Sequence, residues 1–184
     1  MKVWAHFRTI TKHRHQVIKH CIKAGIFWQG CFHDLSKYSP TEFWVGAKYY
    51  SGTHSPNEAE RKVKGYSKAW MHHKGRNKHH FEYWTDYNPI VKGIKPVEMP
   101  LHYVIEMFCD RVAASKIYLK NAYTDKSALE YFLNGKDRRE GMIHPHTSLL
   151  LEELLTLLAE EGEEKTFAYI RKLRKKERVK VSLQ

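Results

Sequence analysis

Cysteine is scarce in this chain, and the few cysteines form no recognisable motif. Cys21, Cys31 and Cys109 are the three cysteines among 184 residues, and no two of them have the spacing of a CxxC pair. An odd number without that spacing argues against a disulfide framework. We therefore expect free thiols and a reducing, cytoplasmic setting.

Long apolar runs and strand-like alternation are also missing from the sequence. No stretch approaches the roughly 18 apolar residues of a membrane span, and no apolar segment of the kind found in a secretory signal follows the basic N-terminus. A hydrophobic content of 42% over 184 residues is enough for one sizeable core. The sequence therefore predicts a single helical domain without a membrane segment.

Basic residues outnumber acidic ones, since the chain has 32 Lys or Arg and 20 Asp or Glu, which gives a net charge of +12. Over half of this excess lies between Lys165 and Lys180, where eight basic residues accompany one Glu. We expect residues 1–160 to form the domain and residues 161–184 to form a basic helix or tail. That segment is either a solvated helix or a surface that binds phosphate backbones, and the remaining excess suits an anionic substrate.

Hydrophobic periodicity and capping signals predict helices through most of the chain. The expected helical segments are residues 3–24, a helix entered at Ser39-Pro40 with Glu42 in its first turn, a third helix from Glu58 through Trp70 to the first His pair, a helix opened by Pro100, Ser127–Asn134, and Thr147–Glu160. Gly25 and Gly135 are expected to end helices, the latter as a left-handed cap. Residues 81–96 are expected to form a loop rich in aromatic residues.

Histidine, by contrast, is abundant and ordered along the chain, with thirteen copies in 184 residues. Together with aspartates it forms the series His13, His33-Asp34, His72-His73, His79-His80 and Asp110. Imidazole and carboxylate groups bind borderline divalent metals without thiolates. A solvated surface does not account for this pairing, so the series predicts a metal site assembled from several helices.

The pentad HDLSK suggests how such a site would work. The Asp34 carboxylate has two oxygens and can bridge two metals while His33 binds one of them. Lys37 follows Asp34 by three positions, on the same face if this turn is helical. Its ammonium would then bind a phosphate oxygen or another anionic group of a substrate. The alternative is a solvated lysine at the entry of a helix.

The segment HHKGRNKHH constrains the geometry further. His72 and His79 are seven residues apart, as are His73 and His80, and seven residues rise about 10.5 Å along a helix. Either Gly75 breaks the helix and folds the second pair back, or the members of each couple serve different metals. Both possibilities favour a site larger than one four-coordinate ion. Asp110, in apolar surroundings, is costly to bury unless it is paired or metal-bound.

The order H…HD…H…H…D resembles the motif order of the HD-domain superfamily of helical metalloproteins. HDLSK is similar to the HD-x-[GS]-K pentad of several of its branches. HHKGRNKHHFEYW and the EM-x-x-D helix resemble, more narrowly, an uncharacterised family of small HD-type proteins. The resemblance covers the chain from about His13 to about Ser115. It implies an all-α, HD-domain-like bundle of five to eight helices around a metal site.

The same resemblance implies roles for individual residues. His13 is preferred to His15 because it fits the superfamily pattern H-[KR]-x-x-V. The implied metal ligands are His13, His33, Asp34, His72, His73, His79, His80 and Asp110, and which member of each later His pair binds stays open. Asp34 and Lys37 would take part in catalysis, Asn77 would orient a ligand or substrate, and Arg76 would share in binding charge.

The implied activity is that of a metal-dependent phosphohydrolase. One or two divalent ions (Fe, Mn, Co, Ni or Zn in preference to Mg) would activate water for attack on a nucleotide or another small phosphoester. A first alternative is an HD-type diiron oxygenase, since these enzymes also carry a Lys after the His-Asp pair. A second is a basic nucleic-acid-binding module with a structural metal, although closed structural sites usually have four ligands. The sequence does not determine the oligomeric state.

Overall fold

The structure is a computed structural model that describes residues 2–182, apart from the side chains of Arg138 and residues 180–182. Residues 183–184 and the side chain of Lys180, which belong to the expected basic tail, lie outside the described part of the chain. The helices are α1 Val3–Ala24, α2 Phe27–Phe32, α3 Pro40–Tyr49, α4 Pro56–Lys64, α5 Lys68–Lys74, α6 Leu101–Leu119, α7 Ser127–Leu133, α8 Lys136–Arg139 and α9 Pro145–Ser182. Short 3₁₀ turns cover Leu35–Tyr38, Phe81–Tyr83 and Lys120–Ala122. Among the described residues, no helix is both long and apolar enough to cross a membrane.

The long helices α1, α6 and α9 pack together and enclose the core. Fully buried side chains include Val17 of α1, Phe108 of α6, and Leu151 and Leu158 of α9. The smaller helices α2 and α3 cover α1, and α4 and α5 pack on α3. The expected all-α class is therefore confirmed, and α1 and α6 are held side by side through the middle of the molecule.

The helix α9 does not run straight through the basic segment, because Gly162 interrupts it with φ 78° and ψ 176°. Beyond this kink Phe167 and Ile170 are buried in the core. Arg171 Nη1 donates to the carbonyl of Lys23, and Arg174 Nη1 donates to the carbonyls of the residues that end α1. Part of the basic segment is thus tied to the rest of the chain.

Two expectations about helix ends are corrected by the structure. The predicted third helix is two helices, since Gly65 adopts φ 79° at the end of α4 and Ser67 Oγ accepts from Trp70 N at the start of α5. Buried Glu60 fixes this corner by accepting from Ser67 Oγ at 2.8 Å. Gly135 has φ −108° and is not a left-handed cap. Gly25 ends α1 with φ 76°, as predicted.

The segment expected to be a loop contains a small antiparallel hairpin of β1 Thr85–Asn88 and β2 Gly93–Pro96. Asn88 Oδ1 accepts from the backbone N–H groups of Ile90 and Val91 and so shapes the turn. Both faces of the strands are largely exposed, and Ile94 is 68% exposed. Because neither face is buried, the strands lack the apolar–polar alternation that would have predicted them.

Candidate metal centre

His13 and Asp110 are brought together because α1 packs on α6. His13 lies on the buried face of α1, between Ile10 and Val17 at helical intervals. Asp110 extends from the middle of α6, where its neighbour Cys109 is fully buried. His13 Nε2 is 2.9 Å from Asp110 Oδ1. Two rigid helices therefore fix one side of the candidate site.

His33 and Asp34 lie between α2 and the 3₁₀ turn Leu35–Tyr38, which contains Lys37. His33 follows the last residue of α2, and Asp34 adopts the left-handed conformation with φ 54° and ψ 24°. A non-glycine residue with positive φ is uncommon, and aspartate is among the types that tolerate it. The reversal directs both side chains to one place, with His33 Nε2 3.2 Å from Asp34 Oδ2. Backbone strain of this kind is concentrated at functional sites.

The second histidine cluster closes the other side of the site. α5 ends at Lys74, and the N–H groups of Arg76 and Asn77 close its last turn on the carbonyl of His73. A separate turn follows, in which the N–H of His80 donates to the carbonyl of Asn77. His80 Nε2 then lies 2.8 Å from His73 Nε2. Of the two possibilities left open by the seven-residue spacing, the structure shows the chain folded back after Gly75.

Asp34 lies between the two sets of ligands. Its Oδ1 is 3.2 Å from His73 Nε2 and 3.5 Å from His79 Nε2. Its Oδ2 is 3.2 Å from His33 Nε2 and 3.9 Å from His13 Nε2. One carboxylate oxygen therefore faces each set.

Two four-residue groups result, and in each of them one ligand atom per residue lies within 4.8 Å of the others. The first group is His13, His33, Asp34 and Asp110, and the second is Asp34, His73, His79 and His80. Donor atoms bound about 2.0–2.2 Å from one transition metal lie roughly 3–3.5 Å apart. Several pairs within these groups are 2.8–3.9 Å apart and all lie within 4.8 Å, so each group could hold one ion with Asp34 common to both.

Unsatisfied buried atoms provide a separate test of whether a metal fits. Five ligand-type atoms in these groups are shielded from solvent and lack a hydrogen bond of good geometry: His13 Nε2, His33 Nε2, Asp34 Oδ1, Asp34 Oδ2 and His79 Nε2. Native proteins rarely leave buried polar atoms unpaired without a reason such as an ion. Asp34 Oδ2 does have the Lys37 ammonium 2.5 Å away, and the donor set together with the other four atoms fits borderline divalent metals.

Glu106 supports one histidine from each group. It lies one helical turn before Asp110 on α6, and its Oε1 accepts from His33 Nδ1 at 2.8 Å. The same oxygen is 3.1 Å from His79 Nδ1. Gln29 Nε2 donates to the other oxygen at 2.5 Å. A proton held on Nδ1 leaves Nε2 of each ring as the atom available to a metal.

Glu42 plays the corresponding part for the second group. Its Oε2 accepts from His73 Nδ1 at 2.7 Å, so the Nε2 atom of His73 faces Asp34. Its Oε1 accepts from His72 Nδ1 at 2.6 Å. His72 belongs to neither four-residue group and instead pairs with Glu42. Of the eight residues proposed as ligands from the sequence, His72 is thus the one that the structure does not bring to the centre.

Lys37 and Asn77 lie at the centre in different ways. Lys37 Nζ is 2.5 Å from Asp34 Oδ2, and its side chain is 29% exposed. Burial alone would lower its pKa, but Asp34 and Asp110 raise the pKa above the usual lysine value. Asn77 Nδ2 donates to Ser36 Oγ and to the carbonyl of His73, both at 2.8 Å. Asn77 therefore holds the turn, whereas the charged Lys37 remains within reach of solvent.

Arg76, expected to share in binding substrate charge, points elsewhere. Its Nη1 donates to the carbonyl of His72 at 3.2 Å, and the side chain is exposed.

A family model described as "Family of unknown function (DUF5662)" matches residues 2–157. The chain belongs to this family. No curated protein and no solved structure matches it. The span shared with DUF5662 contains both four-residue groups and both supporting glutamates, and it ends five residues before the kink at Gly162.

The pKa values in this DUF5662 chain reflect how closely its imidazoles and carboxylates approach one another. Burial alone would raise the pKa of Asp34, but the charges of His33 and Lys37 hold that pKa well below its usual range. Burial alone would lower the pKa of His33, but the Asp34 carboxylate raises it well above its usual value. Burial and the neighbouring His79 keep the pKa of His80 well below its usual value. Asp34 is therefore ionised and His80 neutral near neutral pH.

Glu42 and Glu106 are the functional-site residues that sequence reasoning did not assign. For Glu106 a signal existed, because it stands four residues before Asp110 and residues so spaced share a helix face. For Glu42 no such signal existed, since its position in the first turn of α3 already explained a carboxylate there.

Proposed function

We propose that this protein is a metal-dependent phosphohydrolase of the HD-domain type that acts on a nucleotide or another small phosphoester. The observation that carries the proposal is the Asp34 carboxylate between two ligand groups, with the Lys37 ammonium 2.5 Å from one of its oxygens. The order of these residues along the chain resembles that of the HD-domain superfamily. Two cation positions beside a fixed ammonium suit a substrate that carries several negative charges.

The ligand groups favour borderline metals. His13, His33, Asp34 and Asp110 would hold one ion, and Asp34, His73, His79 and His80 would hold the other. Five imidazoles among seven residues suit Fe, Mn, Co, Ni or Zn better than Mg, which prefers oxygen ligands. Bound divalent ions would supply Lewis acidity and a water of lowered pKa.

The protein's own side chains supply orientation and charge. Glu106 and Glu42 fix the Nδ1 protons of three of the histidines, so their Nε2 atoms stay directed into the site. The Lys37 ammonium neutralises charge on Asp34 and stands ready to bind a phosphate oxygen. Such a donor, fixed before the reaction, stabilises charge that develops in the transition state without a cost of reorganisation.

An oxygenase remains the second candidate, because the same imidazole-rich groups also suit a pair of iron ions. Lys37 does not discriminate between the two chemistries, since an ammonium would bind a carboxylate or alkoxide of an oxidisable substrate equally well. The readouts differ, however, since an oxygenase consumes oxygen and needs iron, whereas a hydrolase releases phosphate with several metals.

A nucleic-acid-binding function would use the basic C-terminal segment instead of the centre. Lys172, Lys175 and Lys176 are exposed on α9. Replacing these three with Gln is a cleaner test than truncation, because truncation would also remove core residues beyond Gly162. Salt-dependent binding to random DNA or RNA that the triple variant loses would favour this function.

The deciding experiment begins with metal analysis of the protein as isolated. Samples reloaded with each candidate metal are then assayed for phosphate release from a panel of nucleotides and phosphoesters. We expect release with at least one transition metal and none with the Asp34→Asn variant. No release with any metal, together with oxygen consumption and a mixed-valent EPR signal from the iron-loaded protein, would overturn the hydrolase in favour of the oxygenase.

A further inference from the structure

Another cluster of side chains of the metal-binding type lies outside the centre, where the segment before α6 meets the start of α9. Glu98 precedes α6 by three residues, and His144 and His146 flank Pro145, the first residue of α9. One ligand atom of each residue lies within 4.8 Å of the others. None of the three belongs to the two groups that share Asp34.

Buried anchors hold the two segments in register. The backbone N–H of Met99 donates to Thr147 Oγ1 at 3.0 Å, and Met99 and Thr147 are 4% and 1% exposed. These anchors are the direct neighbours of Glu98 and His146 in the chain. Pro145 fixes its own φ and so restricts how the two histidines are placed relative to each other. The side chains are therefore brought together by the fold and not by a chance crossing of surface loops.

The side chains themselves approach closely. His146 Nδ1 is 3.4 Å from Glu98 Oε2. The rings of His144 and His146 are 5.4 Å apart at their centroids and stand at 87° to each other. The two rings are therefore close to each other without being stacked face to face.

His144 also carries an unsatisfied atom. Its Nδ1 is shielded from solvent and has no hydrogen-bond partner within the described part of the chain. A shielded polar atom without a partner is costly, and an ion is one of the partners that resolve it. A cation bound at this nitrogen would satisfy His144.

We propose that Glu98, His144 and His146 form a peripheral site for a borderline transition metal ion. Zn²⁺ is the ion with which the site is tested. Two imidazoles and one carboxylate are a common protein ligand set for zinc, and water would complete the coordination. Hard cations such as Mg²⁺ and Ca²⁺ are disfavoured because they prefer oxygen ligands. The ion would join the entry of α6 to the start of α9, and so stabilise the folded chain.

The solvent exposure of these side chains determines how tightly we expect the site to bind a metal ion. The side chains of Glu98 and His146 are 58% and 71% exposed, whereas the central ligands are mostly buried. Water screens their mutual attraction, and both side chains lose conformational freedom when they bind. We therefore expect this site to fill after the central groups in a titration with Zn²⁺.

Metal stoichiometry tests the proposal directly. Wild-type protein and the double variant Glu98→Gln/His146→Asn are dialysed against the same free Zn²⁺ concentrations, and bound zinc is measured. We expect the variant to bind one equivalent fewer at the upper end of the titration. A control variant, His54→Asn/Glu58→Gln, changes an exposed histidine and an exposed glutamate elsewhere and should bind as wild type. Equal zinc binding by the wild type and the first variant would overturn the proposal.

A second readout separates this site from the proposed activity. In the Asp34→Asn variant the late equivalent of zinc should persist, because none of its ligands contacts Asp34. Imidazole ¹⁵N NMR of the full chain should show the His144 and His146 nitrogens shifting together as that equivalent binds. If zinc shifts His54 as much as these two, or shifts neither of them, binding is non-specific and the site is refuted, whatever the outcome for phosphate release.

Discussion

Lys37 Nζ lies 2.5 Å from Asp34 Oδ2, so the carboxylate at the middle of the centre is paired with an ammonium of the protein itself. The left-handed backbone at Asp34 and the 3₁₀ turn that follows it place the two side chains on one side of the chain. Asp34 keeps its other oxygen facing His73 and His79. Lys37 is therefore placed to neutralise the centre or to bind a substrate anion, and substitutions distinguish these roles.

The Lys37→Ala variant should retain its metals and its fold but lose catalytic efficiency. Loss of one well-placed electrostatic donor costs about 2–4 kcal/mol of transition-state stabilisation, which corresponds to a roughly 30- to 1,000-fold loss in kcat/KM. Removing a positive charge beside the ligands should leave metal affinity unchanged or increase it. Metal content and kcat/KM are measured on the same preparation. Lys48→Ala, which changes an exposed lysine on α3, is the control.

Loss of metal from Lys37→Ala would contradict the substrate-binding role and would make Lys37 a structural support of Asp34. A change in kcat/KM of less than about twofold would show that the ammonium takes no part in the reaction.

Asp34→Asn should remove most of the bound metal and all of the metal-dependent activity. The amide keeps the shape of the side chain but cannot bridge two cations as an anion. Asn is preferable to Ala here because Asn tolerates the left-handed conformation at φ 54°, whereas Ala would add backbone strain of about 1–2 kcal/mol. Metal content and the thermal unfolding midpoint are measured together. An Asp34→Asn protein that keeps its full complement of metal would refute the assignment of Asp34 as the bridge.

The sequence predicted seven residues that meet at the centre, together with His72, which does not reach it. Asp110 in an apolar helix and the paired histidines near Gly75 would both be explained if they bound a shared metal ion. The helices α1 and α6 were likewise predictable from periodicity and from the stop at Gly25. Chemistry and periodicity are local properties, and they can be read without knowledge of the fold.

Other features depended on tertiary contacts that no local pattern reveals. The positive φ of Asp34 carries no glycine signal, so the sequence left open whether the HDLSK segment forms a helical turn. His72 and His73 are equivalent as neighbours in the sequence, and only the position of Glu42 makes one face the centre and the other pair outside it. The hairpin was missed because its strands bury neither face.

Glu106→Gln should weaken metal binding in both ligand groups. Burial alone would raise the pKa of Glu106, but the hydrogen bonds from His33 and His79 lower it to about 2, so it accepts from both rings as a carboxylate. The amide removes this charge and orients the two rings less strongly. Loss of such a supporting carboxylate typically costs about 10–100-fold in metal affinity. The affinity of each equivalent is measured by competition with a chromophoric chelator.

Glu42→Gln is the matched comparison for Glu106→Gln. Glu42 supports His73 alone among the proposed ligands at the centre, so its loss should weaken one equivalent of metal and spare the other. If both glutamate variants weakened the same single equivalent, the assignment of Glu106 to both groups would be wrong.

His20 should make the protein less stable as the pH falls below neutrality. It is fully buried, with Nδ1 3.2 Å from the carbonyl of Cys109, and burial lowers its pKa from 6.5 to about 4. The unfolded chain therefore binds a proton that the folded chain does not between these two values, so the free energy of unfolding decreases as the pH is lowered through that window. The loss attributable to His20 is on the order of 2 kcal/mol near pH 5. Thermal unfolding is measured from about pH 7.5 to about pH 4.5 with a chelator present, for the wild type, His20→Gln and the exposed control His54→Gln. We expect His20→Gln to flatten the dependence relative to both other proteins, and parallel curves for all three would show that His20 is not the group responsible.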